Sequence, residues 1–294
     1  MSPDPALVDF GDGRRLERLG GILVDRPHPA AVGRRARPEA WREAAAAFHE
    51  DAAGGDWQFA GPLPSPWLVT VPLGETDDNA AATAAIRLHV RPAPSGQLGI
   101  FLEQLPLWRR LHETWGAAAG ARDDRRGVLS LFAHTGGATI ALAAAGAEVF
   151  HVDASRQAIR TARDNAKASG LADAPIHWVE EDAVRYVHRL VRRGERFHGI
   201  LLDPPSWGHG PRGEAFSIDR DLEPLVSQLA GLLEADGFLA LTSPSPGWDG
   251  RRLASLVAAA VPAACDRIES GPLFCEDGQG RRLALGWQAI AGLR

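Results

Sequence analysis

Asp203, Pro204, Pro205, Ser206 and Trp207 follow the apolar run Ile200-Leu201-Leu202. Each residue type brings a different chemical ability. A carboxylate accepts protons and hydrogen bonds. Two prolines fix φ and lack an N–H, so the turn is stiff and its carbonyls point in set directions. The Trp207 indole offers a flat face to a flat substrate. The apolar run reads as a buried strand of a parallel sheet, and ligands of such sheets sit beyond the carboxyl ends of the strands. Asp203, Pro204, Pro205 and Trp207 are therefore the expected catalytic residues. The plainer alternative is a strand and a rigid turn, with Trp207 covering the core.

Three further strand ends carry chemistry for an adenosine-bearing ligand. Ala133-His134-Thr135-Gly136-Gly137 follows the strand Val128 to Phe132. Its two glycines allow close backbone approach, and the next helix presents free N–H groups. The segment is not G-x-G-x-x-G, because Ala138 and Thr139 follow. A ligand with a carboxylate tail suits it better than a dinucleotide pyrophosphate. Asp153 closes the next strand, where a carboxylate can accept hydrogen bonds from both ribose hydroxyls. Glu181-Asp182 closes the third, where an acid can receive an adenine amino group. Singly, these are ordinary turns and helix caps. In this order they point to S-adenosylmethionine.

The elements that must position these residues form two regions. Residues 1–110 read as a small β-rich domain with Pro/Gly connections. Strands are expected at Val8 to Phe10, from Arg14 towards Pro27, at Trp67 to Val71 and at Ile86 to Val90, with one helix over 38–49 carrying Trp41, Ala45 and Phe48. A linking helix over 103–119 leads into 111–294, the expected ligand-binding domain. There strands alternate with helices: strands at 128–132, 148–153, 176–179, 198–202 and 237–242; helices at 138–145, 155–170, 183–193 and 219–235. This predicts a doubly wound, mostly parallel α/β sheet of the Rossmann-like kind. The chain then ends in an antiparallel hairpin, Cys265 to Ser270 and Leu283 to Ile290, around Asp277-Gly278.

The stretches VLSLFAHTGGAT (128–139), His151 to Ser155, Glu181-Asp182-Ala183 and Asp203 to Gly208 resemble the class I methyltransferase family that includes the bacterial large-subunit rRNA 5-methylcytosine methyltransferase. Gly208 to Glu214 and Gly99 to Gln104 resemble further segments of it. The resemblance is good over roughly 95–245. It implies the class I methyltransferase fold, S-adenosylmethionine as donor, and cofactor contacts at Phe132, His134, Thr135, Gly136, Asp153, Ala154, Asp182, Ala183 and Gln104. The motifs are less specific for the substrate; a base of ribosomal RNA is the expected acceptor, and RNA the expected partner.

The chain departs from that family in several places. His134 stands where Tyr is common, Glu103 replaces Asp and Leu105 replaces Arg. No segment resembles the family's usual N-terminal RNA-binding domain. Carbon-methylating members carry a cysteine nucleophile at the end of the fifth strand, because a thiolate adds readily to a pyrimidine ring. This chain reads Leu241-Thr242-Ser243-Pro244-Ser245-Pro246 there. Transfer to nitrogen needs only positioning and removal of one proton, so a nitrogen acceptor is expected. The alternatives are a small planar molecule, a protein side chain, or a binding module without catalysis.

Bulk properties narrow the setting. Of 294 residues, 45% are hydrophobic and 23% charged, as in ordinary soluble proteins. The net charge of −5 argues against a large non-specific polyanion footprint. Arginines nevertheless occur in small groups, among them Arg34, Arg35 and Arg37, and Arg192 with Arg193. No apolar run reaches the ~20 residues of a membrane span. The start of the chain lacks the pattern of a signal peptide. The two cysteines, Cys265 and Cys275, cannot form a disulfide framework. A cytoplasmic protein without metal or membrane partner is expected.

Overall fold

A computed structural model describes residues 4–50, 54–74, 84–117, 127–209, 215–261 and 267–293. The chain divides into two compact units. One comprises Met1–Leu105 with Phe274–Leu285, the other Pro106–Leu273 with Gly286–Arg294. The sequence pattern placed a single break near 110. In the structure the tip of the late hairpin, far along the chain, belongs with the first unit.

The first unit holds β1 (Ala6–Gly11), β2 (Arg14–Leu19), β3 (Ile22–Pro27), β4 (Ala46–His49) and β5 (Asp56–Phe59), hydrogen-bonded in that order. A separate antiparallel pair is β6 (Leu68–Pro72) with β7 (Ala85–His89). The β2–β3 connection is Gly20-Gly21, with φ of 60° and 79°. A two-residue hairpin turn of this hand needs positive φ at both positions, which glycine adopts without steric cost. The expected helix over 38–49 is absent. A 3-10 turn, Ala40–Glu43, is followed by β4. The 3–4 spacing of Trp41, Ala45 and Phe48 imitates a helical face. The side chains that are buried in β4 are Ala46 and Phe48, a period of two. Pairing of Val24 with Ala46 in β3–β4 and of Phe48 with Trp57 in β4–β5 settles the conformation.

The second unit begins with α1 (Leu105–Ala117), then β8 (Val128–Leu131), α2 (Gly137–Ala144), β9 (Val149–Asp153), α3 (Arg156–Ala168), β10 (Ile176–Glu180), α4 (Ala183–Arg193) and β11 (Phe197–Leu202). A small pair follows, β12 (Trp207–His209) and β13 (Ala215–Ser217). The chain continues with α5 (Ile218–Leu229), β14 (Leu233–Ser243), α6 (Gly250–Ala260), β15 (Ile268–Glu276) and β16 (Arg282–Ala291). The main sheet has the order β10-β9-β8-β11-β14-β16-β15. Its first five strands are parallel and β16 is antiparallel to β14, which is the expected mostly parallel sheet with a closing hairpin.

Alternation along the strands supplies both faces of this sheet. Leu129, Leu131, Ile200 and Leu202 pack with Val187 and Leu190 of α4, Leu222 and Val226 of α5, and Leu253 and Val257 of α6. Val128, Val149 and Leu201 pack with Leu111 and Trp115 of α1 and Leu142 of α2. Two elements differ from expectation here. The helix expected over 219–235 stops at Leu229, and Leu233 is already strand, paired with Phe197 and fully buried. Core burial overrides helix propensity at that point. The sequence reading also lacked α6, which Asp249 caps by accepting from Arg252 N.

Candidate functional site

Strand order reverses between β8 and β11, both adjacent, with β9 and β10 on one side and β14 on the other. A parallel sheet opens a crevice at such a point, beyond the carboxyl ends of its strands. The loop after β8 is held there in an unusual shape. Phe132 and His134 have φ of 55° and 48°, a left-handed conformation that costs a side-chain-bearing residue free energy. Several contacts impose it. Ala133 N donates to Val152 O at 3.1 Å, and His134 N to Asp153 Oδ2 at 2.8 Å. Asn165 Nδ2 donates to Thr135 O at 2.9 Å. The Phe132 ring meets Phe216 at 4.9 Å between centroids.

The two glycines have separate reasons. Gly136 caps α2 with φ of 84°. A Cβ at Gly137 would lie 2.2 Å from the Trp108 ring, so this glycine serves the close approach of α1 and α2. Its role is helix contact, where the sequence reading gave both glycines to a ligand.

Asp153 ties two loops together. Its Oδ2 accepts from His134 N, and its Oδ1 accepts from Ser155 N at 2.8 Å. Each carboxylate oxygen retains acceptor capacity, and the residue is half-buried. Ala154 beside it is also half-buried. Glu181 and Asp182 are separated in role. Glu181 forms a two-pronged pair with Arg189, at 2.9 and 2.6 Å. Asp182 is buried and caps α4 by accepting from Arg185 N at 3.0 Å; Ala183 is the buried first residue of that helix. Gln104 lies in the first unit, buried in a 3-10 turn, whereas the other candidate residues belong to the second.

Asp203 directly follows β11. Thr242 Oγ1 donates to Asp203 Oδ1 at 2.6 Å. The parallel register that pairs Leu202 with Leu241 sets these two residues side by side. Asp203 is reached by water, yet protein surrounds its carboxyl. Burial raises its pKa above the ordinary carboxylate value, with the Thr242 bond and His134 opposing. Access to water limits that rise. Burial lowers the pKa of His134, while Asp153 and Asp203 pull it up. Pro204 is buried and Pro205 exposed. Ser206 Oγ and Ser245 Oγ are 2.7 Å apart, so the turn after β11 is fastened to the turn after β14. Trp207 pairs with Ser217 in the small ribbon and is 59% exposed, a geometry that leaves ring surface for a planar group.

Sequence reasoning missed Thr242 and the Ser206–Ser245 link. The available signal was a hydroxyl residue at the same height on the neighbouring strand, which is legible only once strand order is known. Ser243 and Ser245, where a cysteine nucleophile was sought, are buried. Ser243 Oγ accepts from Ser245 N at 3.1 Å. Cys275 is buried in the first unit, and burial pushes its thiol pKa up. Cys265 and residues 210–214 lie outside the described residues. A Cys275→Ser variant is expected to keep most of its methyl-transfer activity. Trapping of a thiol-linked adduct on Cys275 with a fluorinated cytosine would contradict this.

Among the described residues, no group of three or more His, Cys, Asp or Glu is placed to hold a metal ion. No helix among them is long and apolar enough to cross a membrane.

A family model for S-adenosylmethionine-dependent methyltransferases matches residues 60–281, more than half of the chain. The chain belongs to that family. A methyltransferase of this kind from Agrobacterium tumefaciens is 30% identical, with a TM-score of 0.86 over 98% of this chain and 90% of that one. A methyltransferase solved in complex with SAH shares the fold at 17% identity, with a TM-score of 0.67 over 98% of this chain and 76% of that one. The "Ribosomal RNA large subunit methyltransferase K/L" of Shewanella baltica is 33% identical over 147 residues, 49% of this chain and 19% of that protein. The chain thus spans about a fifth of the length of the curated relatives it matches. S-adenosylmethionine suits the donor set of this methyltransferase. A half-buried carboxylate on β9, a buried carboxylate at the start of α4 and the N–H groups of α2's first turn are acceptors and donors of the kinds this ligand can use.

Proposed function

We propose that the protein methylates a nitrogen of a base in ribosomal RNA. The observation that carries this reading is Asp203, held by Thr242 at the strand-order reversal with Trp207 exposed four residues on. The name of the Shewanella relative supports the choice of RNA.

In this reading Asp153 receives the ribose hydroxyls, Asp182 and Ala183 border the adenine, and the loop from Phe132 to Gly136 borders the methionine end. Ala154 completes the cofactor contacts assigned to the second unit. Bound S-adenosylmethionine supplies an activated methyl group. The remaining tasks fall to the chain. Trp207 stacks on the acceptor base. Asp203 accepts a hydrogen bond from its amino group and takes up the proton as the nitrogen is methylated. Pro204 and Pro205 keep the carboxylate and the Pro204 carbonyl aimed at that amino group. Thr242 holds Asp203 Oδ1.

Asp153→Ala is expected to weaken cofactor binding by ~1.5–3 kcal/mol, the range for hydrogen bonds to a charged group. Calorimetry with SAH reads this directly, and unaltered affinity would remove Asp153 from the site. The reading as a whole is tested by comparing modified nucleosides in ribosomal RNA from cells with and without the gene. Loss of one N-methylated base supports it. An identical nucleoside profile, with a small molecule or protein methylated instead, overturns it.

A further inference from the structure

The surface between α4 and α5 forms a concavity of about 490 Å³ outside the candidate site, lined by Glu181, Arg185, His188, Arg189, Arg192 and Gln228 among others. The spacing of Arg185, His188, Arg189 and Arg192 places them on one helix face. Tyr186, Val187 and Leu190 occupy the buried face. A solvated basic helix face is common, but two features separate this one from that case. Arg189 is pre-oriented, forked onto Glu181 at 2.9 and 2.6 Å, with its guanidinium 4.8 Å from the Tyr186 ring centroid. The lining contains three guanidiniums and one carboxylate, so it is locally positive on a chain whose net charge is −5. Guanidinium groups bind phosphate oxygens in a planar two-pronged manner.

Position links this face to the candidate site. α4 starts at the carboxyl end of β10, and the order β10-β9-β8-β11 puts three strand spacings, ~14 Å, between that end and Asp203. From Glu181 to Arg192 the face then runs ~16 Å along the helix.

We infer that the α4–α5 concavity holds phosphates of the RNA backbone flanking the target base. It positions the strand without reading sequence, and Trp207 and Asp203 engage the base itself. This rests on the RNA reading of the protein's function.

The test uses the full chain, an Arg185→Gln/Arg192→Gln double variant, and a fluorescein-labelled single-stranded RNA. Binding is followed by anisotropy between about 0.05 and 0.2 M salt. Each lost phosphate contact lowers the slope of log K against log salt by ~0.7, so two contacts lower it by ~1.4 and weaken binding roughly 25-fold near 0.1 M. Affinity for SAH and the melting temperature are expected to stay unchanged, which separates this effect from misfolding. Equal affinity and slope for variant and wild type overturn the inference while the RNA reading stands. Absence of RNA binding by the wild type overturns both. Loss of binding to anionic phosphatidylglycerol vesicles with RNA binding intact assigns the face to a membrane and overturns the inference.

Discussion

Asp203→Asn is expected to lower turnover about 100-fold or more while cofactor affinity stays nearly constant. The substitution keeps the shape and the oxygen that accepts from Thr242, and removes the proton acceptor. Steady-state kinetics with the methylated RNA, alongside calorimetry with SAH, check both halves. Wild-type turnover in this variant would reduce the turn after β11 to a structural role. The pH profile gives an independent reading. Burial raises the folded-state pKa of Asp203, and a base acts only when ionised. Activity is therefore expected to fall as pH drops through a value above the ordinary ~3.9 of an aspartate. Trp207→Ala, by contrast, is expected to weaken acceptor binding by ~1–3 kcal/mol, the range for a stacked base, with a smaller change in turnover.

Asp9→Ala is expected to destabilise the first unit by about 3 kcal/mol. Asp9 is completely buried on β1. It accepts from Phe10 N at 2.9 Å, Ala36 N at 3.1 Å, Arg37 N at 2.9 Å and Trp41 Nε1 at 2.7 Å, and it also pairs with Arg281. Alanine leaves these donors without their acceptor. Arg281 is 30% exposed and retains Asp277 at 2.7 Å, so its share of the loss stays small. Burial alone would raise the pKa of Asp9, but the bonds from Trp41, Arg37, Ala36 and Phe10 together hold it below the ordinary value. A lowered folded pKa contributes stability that is complete above the unfolded value of ~3.9 and is lost as pH falls through the folded one. The difference between wild type and variant in urea denaturation should thus shrink in acid. A variant as stable as wild type at neutral pH would show that this network contributes nothing net.

The sequence by itself determined the parallel sheet and where its strands end. Buried parallel strands are continuous apolar runs, and each run here ends in a turn residue or a cap: Gly136 after β8, Asp153 and Ser155 after β9, Asp182 after β10, Asp203 after β11. These signals are local, and a linear pattern carries them. Tertiary structure decided the rest, because it depends on partners distant in sequence. Residues 46–49 became a strand because β3 and β5 flank them, although their spacing imitates a helix. Gly137 answers to the Trp108 ring 29 positions earlier, and Asp9 to an arginine near the other end of the chain. Thr242 reaches Asp203 only because β14 lies beside β11 in register. Which hydroxyl faces a carboxylate is a property of strand order, and strand order is fixed by the burial of both sheet faces together rather than by any one segment.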